Sequence, residues 1–145
     1  MDTMTQEDEL SKYMVLIEQY KEQMNTLDMQ AQYLQAALNE YNKAKITLEN
    51  LGKSDNNTEA LIPIGGSVYL YSNVKDTSKV LFDIGAGYTA EKSFEDAVKK
   101  IDERVEKIQK NQERLTTMAQ QLQAEAEEVS NKAQKLMEEQ QKNSQ

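Results

Sequence analysis

The chain has 145 residues, of which 38% are hydrophobic, with a formal net charge of -8 and neither cysteine nor histidine. Those missing side chains exclude most nucleophile–base pairs and transition-metal sites, so we expect neither an enzyme nor a cofactor. The acidic balance and the lack of a long apolar run predict no nucleic-acid partner and no membrane partner. The acidic start is unlike a signal peptide, and with the absence of cysteine it fits a cytoplasmic protein.

The first predicted element is a coiled-coil helix, residues 1–51. Alternating steps of three and four residues from Leu10 meet an apolar side chain at every position except Lys45. This spacing is typical of the seam of a left-handed coiled coil, which needs a partner helix. An alternative is that the seam drifts after Tyr41 to Ala44, Leu48 and Leu51, which would put Lys45 outside.

The ends of this helix carry their own signals. Thr3 or Thr5 is expected to cap its start, and Gly52 to end it.

The run 13–17 (YMVLI) is wholly apolar and spreads around the circumference of a helix, so Val15 points away from the seam. Two interpretations follow: a wide stripe covered by a partner helix, or an exposed apolar surface that binds other proteins.

The middle of the chain is predicted to be a polar linker, residues 52–60, and a β-rich insert, residues 61–92. Alternating apolar residues interrupted by glycines predict two β-hairpins, with 75–78 as a hairpin loop, and leave open a shared strand pair. So small a sheet exposes edges and apolar faces, which favours oligomerisation through the insert. The residues expected at that interface are Ile62, Ile64, Val68, Leu70, Val74, Val80, Leu81, Phe82, Ile84 and Tyr88.

The last predicted element is a second coiled-coil helix with a polar tail, residues 93–145. Its apolar seam runs from Phe94 to Leu136 and is interrupted only by Gln112. The two seams have nearly the same length and flank the insert. This arrangement favours an antiparallel hairpin of two helices.

Three short stretches carry a resemblance to a known family: Pro63–Gly65, the run Val80–Tyr88 (VLFDIGAGY) and the pair Glu91–Lys92. Set between two long helices, they resemble the alpha-type subunits of prefoldin. The resemblance implies a mainly helical α+β fold. It is an antiparallel two-helix coiled-coil hairpin with two central β-hairpins that join an oligomeric β-barrel.

The same resemblance implies a function. Prefoldin is an ATP-independent chaperone (a holdase) that binds unfolded proteins at the distal coiled-coil tips and delivers them to a group II chaperonin. The implied partners are beta-type subunits (two alpha and four beta in a hetero-hexamer), non-native client proteins and the chaperonin. The alternative is a structural coiled-coil scaffold or oligomerisation subunit without client binding.

The implied client-binding residues are the apolar side chains near the two chain ends, where the antiparallel helices meet. They are Met4, Leu10, Tyr13, Met14, Val15, Leu16, Ile17, Val129, Ala133, Leu136 and Met137.

Overall fold

The computed structural model describes residues 5–143, so the predicted client-binding residue Met4 lies outside the described part. Two long helices flank four strands. They are α1 (Gln6–Gly52), β1 (Thr58–Gly65), β2 (Val68–Val74), β3 (Lys79–Gly85), β4 (Tyr88–Ser93) and α2 (Phe94–Asn143). The predicted mainly helical α+β class, with two helices and two central hairpins, is confirmed. β1 begins inside the segment predicted as linker.

Side-chain caps define the start of each helix. The amide of Asp8 donates a hydrogen bond to Thr5 Oγ1 at 3.2 Å, which confirms the predicted cap at Thr5. In the same way the amide of Asp96 donates to Ser93 Oγ at 3.1 Å. Each bond satisfies one of the amides that the first helical turn leaves without a partner.

Each hairpin is a separate two-stranded antiparallel sheet, β1 with β2 and β3 with β4. The chain reverses at residues 65–67 and 85–87, where Gly65 (φ 104°) and Gly85 (φ 103°) adopt conformations that other residues rarely tolerate. The prediction that residues 75–78 form a hairpin loop is therefore wrong. Within the described strands β2 and β3 do not pair, and residues 75–78 connect one hairpin to the next.

Contacts divide the chain into two units, one of residues 1–35 with 110–145 and one of residues 36–109. In the first unit Gln112 Nε2 donates to Gln35 Oε1 at 3.1 Å. Leu10 and Met137 border the same groove there, so α1 and α2 run in opposite directions. In the second unit Lys45 on α1 and Asp102 on α2 form an ion pair at 2.7 Å.

The burial of Lys45 distinguishes between the two predicted seams of α1. Lys45 is half-buried, whereas Ala44 is exposed, so the seam continues through the lysine. The hydrogen bond to Asp102 and the charge of its carboxylate raise the pKa of Lys45 above its usual value. A charged residue at a seam position favours one register because only one places a carboxylate opposite it.

The buried side chains are few and lie mostly on α2. In the unit of residues 36–109 they include Phe94, Ala97 and Ile101, at 8%, 0% and 3% exposure. In the other unit they are Leu122, Ala133 and Leu136. The core is therefore a narrow seam between helices, and most apolar surface of the hairpins lies outside it.

Candidate functional site

The first hairpin, β1 with β2, is apolar on both faces. Its register sets Leu61 opposite Tyr71 on one face and Ile62 opposite Leu70 on the other. All four side chains are exposed, from 49% for Ile62 to 81% for Tyr71. A two-stranded sheet covers neither of its own faces, so both are open to a partner.

The second hairpin, β3 with β4, differs because one face packs on the helices of its own chain. Phe82 is paired with Ala90, and both are half-buried. Leu81, the neighbour of Phe82 on the opposite face, is 73% exposed. Tyr88 lies two residues from Ala90 and therefore on the face of Ala90 and Phe82, but it is 71% exposed next to the turn. This hairpin therefore has one face that is covered in part and one open face.

Arg104 of α2 joins the second hairpin to both helices. Its Nη1 donates to the hydroxyl of Tyr41 on α1 at 3.2 Å, and its Nη2 donates to the carbonyl of Asp83 on β3 at 3.1 Å. The guanidinium carbon lies 4.6 Å from the centroid of the Phe82 ring and 5.8 Å from that of Tyr41, within the range of cation–π attraction. We call these four residues the Arg104 clamp.

The sequence reasoning missed the clamp, because a single arginine beside a helical seam looks like any solvated charge. Its partners are 21 to 63 residues away in the chain. The spacing of residues along one helix gives no signal for such contacts.

The structure separates the predicted oligomerisation residues into two groups. Seven are exposed: Ile62, Ile64, Val68, Leu70, Leu81, Ile84 and Tyr88. Three are half-buried within the chain: Val74, Val80 and Phe82. The sequence reasoning passed over Leu61, Tyr69 and Tyr71, which are exposed apolar residues of the same kind. Strand alternation predicted which side chains share a face of each strand, but not which of the two faces the helices would cover.

The terminal end of the coiled coil, residues 5–17 with 129–143, holds the predicted client-binding residues. Met14, Val15 and Met137 are 52%, 58% and 45% exposed. Five others are half-buried along the seam: Leu10, Tyr13, Leu16, Ile17 and Val129. The two remaining positions, Ala133 and Leu136, are buried at 3% and 8% exposure. These two face the other helix, so in this structure they offer no surface to a client.

An apolar groove that the sequence reasoning did not identify lies further along the same unit. Met29, Tyr33 and Met118 line it and are 70%, 75% and 46% exposed. Met29 and Tyr33 lie off the seam of α1. Because they are four residues apart, they share one face of the helix, and this spacing could have predicted the groove.

The described residues contain no group of three or more histidine, cysteine, aspartate or glutamate side chains that could hold a metal ion. Across residues 5–143, no helix is long and apolar enough to cross a membrane.

Comparison with known proteins agrees with this geometry. The Prefoldin family model, described as prefoldin subunit, matches residues 20–139. The chain belongs to the prefoldin family. A similar curated prefoldin is the alpha subunit of Archaeoglobus fulgidus, 34% identical over 96 residues, which cover 66% of this chain and 70% of the relative.

For two further relatives of this prefoldin, the match covers a smaller share of the relative's length. Prefoldin subunit alpha 1 of Thermococcus kodakarensis is 32% identical over 90 residues, 57% of this chain and 62% of the relative. Prefoldin subunit 5 of Homo sapiens is 35% identical over 80 residues, 50% of this chain and 52% of the relative. The predicted resemblance to alpha-type prefoldin subunits is confirmed.

A solved structure supports the fold of this prefoldin. The cryo-EM structure of filamentous PFD from Methanocaldococcus jannaschii has a TM-score of 0.52 and 22% identity, and the match covers 86% of this chain and 97% of that one. At this identity the likeness concerns the fold alone. Family membership supports a chaperone subunit rather than an enzyme.

Proposed function

We propose that this prefoldin subunit is an ATP-independent holdase that binds unfolded proteins at the terminal end of its coiled coil and delivers them to a group II chaperonin. The observation that carries the proposal is the exposure of Met14 and Val15 on α1, with Met137 on α2. Unpartnered methionine and valine side chains suit non-native clients, because flexible apolar groups fit varied surfaces. The acidic Glu7, Asp8 and Glu9 in the first turn of α1 favour solubility of this end.

The proposal assigns assembly to the hairpins. Their open apolar faces would join beta-type subunits in an oligomeric β-barrel, with two alpha and four beta chains and a cytoplasmic location. Supporting this, Leu61, Leu70 and Tyr71 are each more than half exposed in the single chain. Such a concentration of apolar surface favours burial against a partner.

The test is to replace Met14 and Val15 together by serine. In the complex with beta-type subunits, we expect client affinity to fall several-fold. Full burial of each such side chain contributes about 1.5–3 kcal/mol, and a client would bury only part of each one. The measurement is the dissociation constant for a denatured client, with aggregation suppression as a second readout. The beta-type tips remain in this complex, so the expected loss is partial.

Ile46→Ser is the matched control, since Ile46 is 59% exposed on the same helix, near its other end. It should leave client affinity unchanged, and both variants should retain the mass of the assembled complex. Unchanged affinity in the Met14 and Val15 variant would contradict client binding at these positions.

The second candidate function is a coiled-coil scaffold without client binding. The burial of Ala133 and Leu136 favours it, because these predicted tip residues serve helix pairing in the structure. A scaffold should tolerate the Met14 and Val15 changes with no loss of client affinity, so the same experiment separates the two functions.

A further inference from the structure

At its base the second hairpin is joined to α2, because β4 ends at Ser93, α2 begins at Phe94, and the amide of Phe94 donates to the carbonyl of Ser78 at 3.0 Å. Away from this base, its angle depends on side-chain contacts with the helices. A two-stranded sheet has no core of its own, and one apolar contact restricts its distance from a surface more than its direction. The apolar side chains on its helix-facing side are Val80 and Phe82, which are half-buried and border the same groove as Leu48 and Ile101. The direction must therefore come from groups with directional bonds.

Arg104 supplies those bonds. Its guanidinium is planar, and its two terminal nitrogens donate to Tyr41 on α1 and to the backbone of Asp83 on β3. Because the acceptor on β3 is a backbone carbonyl, this hydrogen bond restrains the strand itself and not a movable side chain. The bond to Tyr41 is partly buried, so water competes less for it, whereas the bond to Asp83 lies at the surface. A planar fork holds its partners at set angles, which a single ammonium group does not.

We propose that Arg104 is a positioning residue that sets the angle of the β3–β4 hairpin on the helices, and so aims its open face at a partner subunit. The proposal rests on the assembly role given above. That face includes Leu81, which is 73% exposed beside the clamped Phe82. Assembly through a β-sheet requires strands at matching angles, because backbone hydrogen bonds across an interface are directional.

The angle can be measured directly because the chain has no cysteine. Spin labels at Thr89→Cys on β4 and Lys107→Cys on α2 report one hairpin-to-helix distance by pulsed electron paramagnetic resonance. Both positions are exposed and lie in the same unit of the chain. We expect a narrow distance distribution in the otherwise unchanged chain, and a distinctly broader one with Arg104→Met.

Assembly with beta-type subunits is measured in parallel. Arg104→Met, which keeps an apolar stem but removes the guanidinium, should weaken assembly about tenfold or more, because it removes two hydrogen bonds and two cation–π contacts. Arg104→Lys should behave like the methionine variant, because it keeps the charge without the planar fork. Helix content by circular dichroism should remain unchanged in both. Lys45→Met, which removes the Asp102 ion pair on the same helices, is the control that should change neither readout.

Three results would overturn the proposal: an unbroadened distance distribution in Arg104→Met, full restoration by Arg104→Lys, or normal assembly despite a broadened distribution. A chain that never assembles with beta-type subunits would contradict the proposed function instead. The distance measurement would still test the clamp in that case, since it needs no partner.

Discussion

At the scale of single residues, Thr77 shows how one buried hydroxyl ties the segment between the hairpins to the loop before β1. It is 7% exposed. Its hydroxyl lies 3.0 Å from the carbonyl of Ser54 and 3.1 Å from Asn56 Oδ1, and its amide donates to the same Asn56 oxygen at 3.0 Å. These bonds occupy residues that would otherwise be free to form a hairpin loop.

Replacing Thr77 by valine should loosen the base of the first hairpin. The change keeps the side-chain shape but removes the hydroxyl, at a cost of about 1–2 kcal/mol in local opening free energy. Hydrogen exchange of the Asn57 amide, which donates to the carbonyl of Val74, measures this opening. We expect about tenfold faster exchange.

Thr77→Ser is the matched control for that experiment. It keeps the hydroxyl, and the amide bond to Asn56 is available to it as well. Its exchange should stay closer to that of the unchanged chain. Equal exchange in the valine and serine variants would mean that the hydroxyl contributes nothing at this position.

At the scale of elements, the β3–β4 hairpin has one face that packs on its own chain and an open face that we propose meets a partner. Leu81 lies opposite Glu91 in the register, and Lys79 forms an ion pair with Glu91 at 3.3 Å. An acidic residue at position 81 would therefore weaken the hairpin itself by like-charge repulsion across the strands. A lysine there meets an opposite charge and preserves the hairpin.

Leu81→Lys should therefore disperse the assembled complex while leaving the chain folded. Taking a charged side chain out of water into an interface costs several kcal/mol even when an opposite charge lies nearby, so assembly with beta-type subunits should weaken about a hundredfold or more. Mass by light scattering and helix content by circular dichroism are the two measurements. Gln109→Lys adds the same charge to an exposed site on α2 and should leave the mass unchanged. A full-sized complex with Leu81→Lys would show that this face is not the assembly surface.

Phe82 would give a different result from its neighbour. It lies against Arg104 in its own chain, so a charged residue there would disturb packing within the subunit as well as assembly. Two adjacent residues that sequence reasoning grouped together thus have separate roles in the structure.

At the scale of the whole molecule, the proposed function predicts the mass in solution. Mixing this chain with beta-type subunits should give a discrete particle of six chains, because burial of the open hairpin faces favours assembly. Light scattering of each component alone and of the mixture measures it. A simple dimer that ignores the partner would favour the scaffold function.

Much of this architecture was readable in the chain because its signals are local. The seam of α1 follows from residue spacing and the Thr5 cap from residue type. The glycines marked interruptions of the strand pattern, and the chain reverses at two of them, Gly65 and Gly85. The family followed from the strand stretches, which the Prefoldin model also matches.

Other features depended on contacts between residues far apart in sequence. Periodicity identified Ala133 as an apolar seam residue, and only the packing of α2 shows it buried at 3% exposure while Val15 stays 58% exposed. Likewise, alternation marks the two faces of β3, but only the burial of Val80 and Phe82, with Leu81 left exposed, shows which face is covered. The sequence by itself determined the helices, the presence of two hairpins and the family, because spacing and turn chemistry act over a few residues. It did not determine which strands pair, since residues 75–78 connect the hairpins and do not form a hairpin loop. Only the tertiary structure decided which apolar side chains remain open to partners, because burial depends on what the rest of the chain brings alongside.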